Sequence, residues 1–262
     1  MALSWGASRQ LMIVGGFLAI ILIIAAIIIV PKLQKEPTCF DGKQNGTEQG
    51  VDCGGGCAKL CAFQTTDVVV KWSRVFPVTS TVANAVAYIQ NPNIYAAARN
   101  VPYQFKIYDA DHQFITEREG LAYIAPNGAS AIFEGGIQVG SRVPKYAEFK
   151  FTEDPLWVSL DPRINTITVV PSNPQMEGFE SKPKVSGTIT NVSDRYGVRN
   201  ISVIAILYDK DENAVGASQT LIQALGPKQQ SPVYFTWPAP FYSQVVKTEL
   251  LPRFDVFKVS LQ

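Results

Sequence analysis

The hydrophobic pattern begins with one unbroken stretch, Leu11 to Val30, which reads LMIVGGFLAIILIIAAIIIV between Arg9 and Lys32 and holds no charged residue. At about 1.5 Å per helical residue such a run covers about 30 Å, the thickness of a bilayer's hydrocarbon core, so it predicts a transmembrane helix over residues 11–30. A cleaved signal peptide would need a shorter apolar stretch of about 7 to 15 residues followed by a small-x-small site, and the run ends IIIVPKLQ without one. Beyond the membrane segment the period changes from helical to two. Stretches such as VAYIQ, VPYQFKIYD and FITER, then Val185 to Thr190 and ISVIAILYD from Ile201, are short, rich in β-branched and aromatic residues, and bounded by turn signals at Ala110 to Gln113 and at Asp211-Glu212-Asn213.

The strands recur. A shift of 100 residues lays Val69-Val70 on Val169-Val170, Asn91 on Asn191, Arg99-Asn100-Val101 on Arg199-Asn200-Ile201, Tyr108-Asp109-x-Asp111 on Tyr208-Asp209-x-Asp211, and Leu121 on Leu221. A shift of 101 then aligns Pro126 with Pro227 and Phe133 with Tyr234. So many pairs in one register predict two related modules, residues 67–151 and 165–262. Each has room for about seven strands and is close to the size of an immunoglobulin-like domain, enough to bury its own core. The expected fold is all-β: two tandem immunoglobulin-like antiparallel β-sandwiches after one N-terminal transmembrane α-helix. Residues 152–164, with two prolines and no glycine, read as a stiff connector in which Trp157 is expected to pack between the modules.

Charge leaves orientation open, because Arg9 on one flank faces Lys32 and Lys35 on the other, with Lys43 beyond. The cysteines decide it. All four, Cys39, Cys53, Cys57 and Cys61, fall in the segment 31–66, and an even count in a Gly-rich stretch too small for a core points to disulfides in an oxidising compartment. The competing reading is a four-thiolate zinc site, but such sites pair their ligands in close knuckles and Cys39 forms none with Cys53. The expected arrangement is therefore residues 1–10 as a cytoplasmic tail, residues 11–30 across the cytoplasmic membrane, and everything after residue 30 outside. With 23 Lys and Arg against 22 Asp and Glu and no basic cluster, nucleic acid is not an expected partner. The charged fraction is 17%, and 17 prolines with 19 glycines fit a chain of many turns.

At NVSDRYGVRNISVIAILYDKDENAVG the chain resembles the FxLYD domain, an immunoglobulin-like module of prokaryotic envelope proteins. The resemblance is carried by Gly187 and Asn191, by Val203 to Leu207, by Leu207-Tyr208-Asp209, and by Val215-Gly216. The first copy matches with Ile107-Tyr108-Asp109. This covers about a third of each module and implies a fold and an envelope location without implying a ligand. The cysteine segment is similar to a motif of bacterial surface and secreted proteins, C-x-D-G-x-x-N-G-x-E-x-x-x-D-C-G-G-x-C, from Cys39 through Asp41, Asn45, Glu48 and Asp52 to Cys57. Cys61 follows after three residues where two are usual, which leaves its pairing open.

Three places are candidates for chemistry. Asp41, Asn45, Glu48 and Asp52 gather four oxygen side chains in one loop, and calcium takes six to eight such oxygens; the alternative is that Asp-Gly and Asn-Gly are ordinary turns. Asp109-x-Asp111 and Asp209-x-Asp211 begin like calcium loops but lack the glycine at position six and the glutamate at twelve, so hairpin turns are expected. The run Tyr234 to Tyr242, YFTWPAPFY, has no counterpart in the first copy. Trp237, Phe241 and Tyr242 would either dock an envelope protein or a glycan or, for the rings of the strand end, close the sandwich. The only histidine, His112, falls in an expected turn, and no nucleotide, metalloprotease or nucleophile-elbow pattern occurs, so no enzymatic activity and no cofactor other than calcium is expected. These readings combine into a non-catalytic, membrane-anchored extracytoplasmic binding or scaffolding protein of the bacterial envelope, with the lipid bilayer as one partner, or else an accessory or sensor subunit of an envelope enzyme or secretion complex.

Overall fold

A computed structural model describes residues 5–33, 36–163 and 167–261. Residues 1–4 of the expected N-terminal tail, Lys35, and the junction expected at 164/165 lie outside them. The chain divides into two compact units, Met1–Cys57 and Ala58–Gln262.

In the first unit, helix α1 spans Trp5–Leu33, longer at both ends than the apolar run alone. Its segment Arg9–Val30 has a mean hydropathy of 3.3 and buries none of its side chains. It is apolar on every side, as a helix facing lipid must be, and is long enough to cross a bilayer. Pro31, which cannot bond the carbonyl a turn before it, stands two residues from the helix end. The cysteine segment follows as a series of tight turns. Gly55 has a φ of +60°, and any Cβ there would run into the carbonyl of Thr47, so the glycine run after Cys53 serves close backbone packing.

The second unit is all-β. Its first half contains β1 (Val69–Pro77), β2 (Val82–Asn91), β3 (Ala96–Tyr108), β4 (Phe114–Ile124), β5 (Gly128–Gln138), β6 (Tyr146–Phe151) and β7 (Trp157–Ser159). The second half contains β8 (Val169–Glu177), β9 (Lys184–Asn191), β10 (Tyr196–Tyr208), β11 (Ala214–Leu225), β12 (Gln230–Thr236), β13 (Lys247–Arg253) and β14 (Ser260–Leu261). The halves share one topology. Sheet β1-β2-β5 faces sheet β4-β3-β6, and β7 pairs with the start of β3; likewise β8-β9-β12 faces β11-β10-β13, and β14 pairs with the start of β10. All pairings are antiparallel.

The repeat extends to backbone detail. Asn100, at a bulge in the pairing of β3 with β4, and its counterpart Asn200 both adopt positive φ, as do His112 and Glu212 in the following turns and Asn127 and Lys228 in the next. Asn91 and Asn191 are both buried at the same corner. The amide of Asn91 donates to the carbonyls of Ala96 and Ala125, and that of Asn191 to those of Tyr196, Leu225 and Gly226. Each side-chain carbonyl accepts from the backbone two residues on, Asn93 or Ser193.

Each sandwich has its own core. Ile89, Val101, Phe105, Ile107 and Ile132 lie in the first, and Val185, Ile189, Val203, Leu207 and Phe235 in the second. A third apolar cluster joins the two halves. Phe76, Val86 and Ala131, on the outer face of the three-stranded sheet of the first sandwich, meet Ile204, Ile206, Tyr208, Ala214 and Ala217 on the four-stranded sheet of the second. This explains why ISVIAILYD is aliphatic at nearly every position: β10 is buried on both faces, whereas β3 alternates between core and a more exposed face.

Trp157 departs from expectation. It sits in the core of the first sandwich, on β7, and not between the modules. The physical reason is that β7 resumes the edge of β3 that β6 leaves, which returns Trp157 to the inward-facing side. The apolar contact at this junction comes instead from Leu160, with Ala97 and Val256. Residues 58–60 also belong with this sandwich, since Leu60 packs on its core and Lys59 bridges to Val158.

Candidate functional site

In the cysteine segment Cys39 is bonded to Cys57, and Cys53 and Cys61 are oxidised as well. The sulfurs of Cys39 and Cys57 lie within 4.8 Å of each other and of a Glu48 oxygen, a grouping that resembles a metal site. Zinc needs thiolates, however, and a disulfide supplies none. The four oxygen side chains come together, and the three carboxylates are spent on the backbone, while Asn45 Oδ1 is buried with no hydrogen-bond partner among the described residues. Asp52 Oδ1 accepts from the N–H groups of Asp41 and Gly42, and Asp41 Oδ1 from that of Lys43. Asp41 Oδ2 accepts from the Asn45 amide at 2.8 Å, and Glu48 from the Asn45 N–H. The Asn45 hydrogen bond is the main reason the Asp41 carboxyl titrates below the usual range. These are the bonds of turn caps, in which carboxylates replace the missing partners of a tightly folded backbone.

The two Asp-x-Asp segments behave alike. Asp109 Oδ1 accepts from the N–H groups of Asp111 and Gln113, and Asp209 Oδ1 from those of Asp211 and Asn213. Hydrogen bonds from the backbone, that of Asn213 foremost, lower the Asp209 pKa. His112 stacks flat on Tyr146 at 4.4 Å, and among the described residues no carboxylate bonds to its ring.

The aromatic run divides. Trp237 is buried and meets Phe241 edge-on at 5.4 Å, while Phe241 covers Gly216, where any Cβ would strike its ring. Tyr242 is wholly exposed, and a shallow cleft of about 310 Å³ beside it is lined by Phe179, Phe241, Ser243, Gln244 and Val245. Of the three candidate contact residues, then, Trp237 and Phe241 close the end of the second sandwich and Tyr242 faces solvent.

The polar network between the sandwiches was not anticipated from the sequence. Glu249 accepts from Tyr88 at 2.9 Å and from Tyr208 at 2.8 Å, one hydroxyl from each half. Burial first, and these bonds second, push the Tyr88 pKa up to about 12 and raise that of Tyr208 as well. Arg74 donates to the Ala214 carbonyl and to Asn213, Arg253 to the carbonyls of Tyr123 and Ala131, and Arg99 pairs with Asp255. Burial lowers the pKa of Arg253. A signal was available: Tyr108 and Glu148 form the same pair in the first copy, at 3.1 Å. There it stands in the open.

No protein-family model matches the chain, and no curated protein matches it. Among solved structures it is similar to red sea bream transglutaminase at 11% identity and a TM-score of 0.23, over 73% of this chain and 29% of that one. The chain thus spans less than a third of that protein's length. It is also similar to Bacillus subtilis oxalate decarboxylase at 10% identity and a TM-score of 0.13, over 77% of this chain and 81% of that one. Overlaps this loose carry no argument about chemistry.

Proposed function

We propose that this chain is a non-catalytic binding or scaffolding protein of the bacterial envelope, held in the cytoplasmic membrane by α1 with its N-terminus inside and its paired sandwiches outside. One observation carries the reading: an apolar helix long enough to span a bilayer is followed at once by a segment whose four cysteines are all oxidised. Disulfides persist in oxidising compartments, so the segment belongs on the far side of the membrane from the cytoplasm. The partner would be another envelope protein or a glycan. The polar groups of the most connected site, Tyr88, Glu249 and Tyr208, are engaged with one another, which suits a stiff presenting body better than a reaction centre.

Topology is the direct test. A membrane-impermeant maleimide applied to intact cells is expected to label the chain only after an impermeant reductant has opened the disulfides. Labelling that requires permeabilised cells would place the cysteines inside and overturn the proposal.

A further inference from the structure

We propose that Cys39 is a site of S-thiolation: a small, uncharged thiol opens the Cys39–Cys57 disulfide by attacking Cys39 and expelling Cys57, and Glu48 governs how readily it does so. The inference goes beyond the binding role above and holds on either side of the membrane. Either sulfur of a disulfide can be attacked in principle, and the outcome is set by access to each sulfur and by how well the other bears the charge it is left with. Here both factors point the same way.

Access favours Cys39. The chain around it is open: Glu36, Pro37, Thr38 and Phe40 are all exposed, Phe40 at 91%, and Cys39 itself is only partly buried. Cys57 is 6% exposed. The glycine run before it explains the difference. Gly55 packs so closely on the Thr47 carbonyl that any Cβ would clash, the N–H of Gly56 donates to Thr47 Oγ1, and the N–H of Cys57 closes a turn on the Gly54 carbonyl. These contacts draw Cys57 in against residues 47 and 48.

Charge sets the barrier. Glu48 Oε1 lies 3.4 Å from Cys57 Sγ, while Oε2 of the same carboxylate accepts from the N–H of Asn45, which holds the group in place. A carboxylate this close opposes a thiolate on Cys57 and favours the neutral thiol, whose hydrogen it is placed to accept. Within residues 36–57 four acids, Glu36, Asp41, Glu48 and Asp52, stand against one cation, Lys43, so an anionic thiol is repelled as well.

The incoming thiolate forms a bond to Cys39 Sγ as the Cys39–Cys57 bond breaks. The electron pair of the broken bond passes to Cys57 Sγ, which takes a proton from water and donates it in a hydrogen bond to Glu48. The small thiol is oxidised to a mixed disulfide and Cys57 is reduced to a thiol, so the exchange needs no further oxidant. Closure requires the Cys57 thiolate again, so Glu48 slows the return and the adduct on Cys39 persists.

The test treats the full chain in lipid nanodiscs with 2-mercaptoethanol, samples early, traps free thiols with N-ethylmaleimide and maps the peptides by mass spectrometry. The expected product carries mercaptoethanol on Cys39 and maleimide on Cys57, and outweighs the reverse arrangement by about tenfold. Glu48→Gln keeps an acceptor for the Asn45 N–H and removes the charge, and should speed the opening by about threefold to tenfold. Glu36→Gln removes an equal charge from an exposed position and should leave the rate within about twofold. The anionic 2-mercaptoethanesulfonate should react more slowly than 2-mercaptoethanol, with a gap that narrows in Glu48→Gln. Adducts found chiefly on Cys57 or equally on both, no acceleration in Glu48→Gln, or equal acceleration in Glu36→Gln would each overturn the proposal. The adduct map needs no variant, so it decides the matter even where Glu48→Gln does not fold, and none of these outcomes touches the topology experiment.

Discussion

Asn91 and Asn191 show what a residue-level signal in the sequence can and cannot convey. Their spacing revealed the repeat, but their role is that each ties two loops together through carbonyls distant in sequence, and those partners carry no side-chain signature. The aromatic run was legible in composition and became interpretable only with burial. Trp237 and Phe241 pack against each other and over Gly216, so replacing either with alanine is expected to cost about 3 to 5 kcal/mol, the usual range for a buried aromatic. Tyr242→Ala, at a wholly exposed position, should change stability by less than about 0.5 kcal/mol. Thermal melts of the three variants decide the matter. A stable Trp237→Ala, Phe241→Ala double variant would show that these rings do not close the sandwich.

Among the elements, β3 and β10 have the same length and topology but different surroundings. The outward residues Gln104 and Lys106 of β3 correspond to Ile204 and Ile206 of β10, and only the latter pair is covered by the other sandwich. The continuous aliphatic run announced a strand buried on both faces. What covers it was not legible, because Phe76, Val86 and Ala131 come from three strands and each reads as an ordinary strand residue. The break between β6 and β7 was hidden for a related reason: a proline-containing stretch resembles a connector even when it rejoins the sheet. Ile206→Lys would bury an unpaired charge in the interface and should cost about 3 kcal/mol or more. The mirror change, Lys106→Ile on the open face, should stay within about 0.5 kcal/mol. Denaturant unfolding measures both. Equal costs would mean that the two faces are equally covered, contrary to the packing of the third cluster.

For the whole of the second unit, the outcome is a pair of sandwiches fused face to face rather than two beads on a connector. The fusion is heterologous, a three-stranded sheet on a four-stranded one, and such contacts can in principle repeat without end. The exposed end of the series carries Gln104, Lys106 and Glu148 where the buried one carries Ile204, Ile206 and Glu249, so the stack stops after two. Glu249 binds a tyrosine from each half, and this makes the union sensitive to alkali. Both hydroxyls have pKa values raised in the folded state, Tyr88 to about 12, so the folded state holds their protons more tightly than the unfolded chain, whose tyrosines titrate near pH 10. Their contribution is complete below about pH 10 and is lost as pH rises toward 12, the direction required when the folded state binds more protons than the unfolded one. The melting temperature should therefore fall across that interval. In a Tyr88→Phe, Tyr208→Phe variant the melting temperature should start lower at neutral pH, with two hydrogen bonds removed, and fall less steeply, because neither ring can ionise. Slopes that coincide in the two proteins would show that some other group drives the alkaline loss and that the tyrosine pair does not hold the sandwiches together.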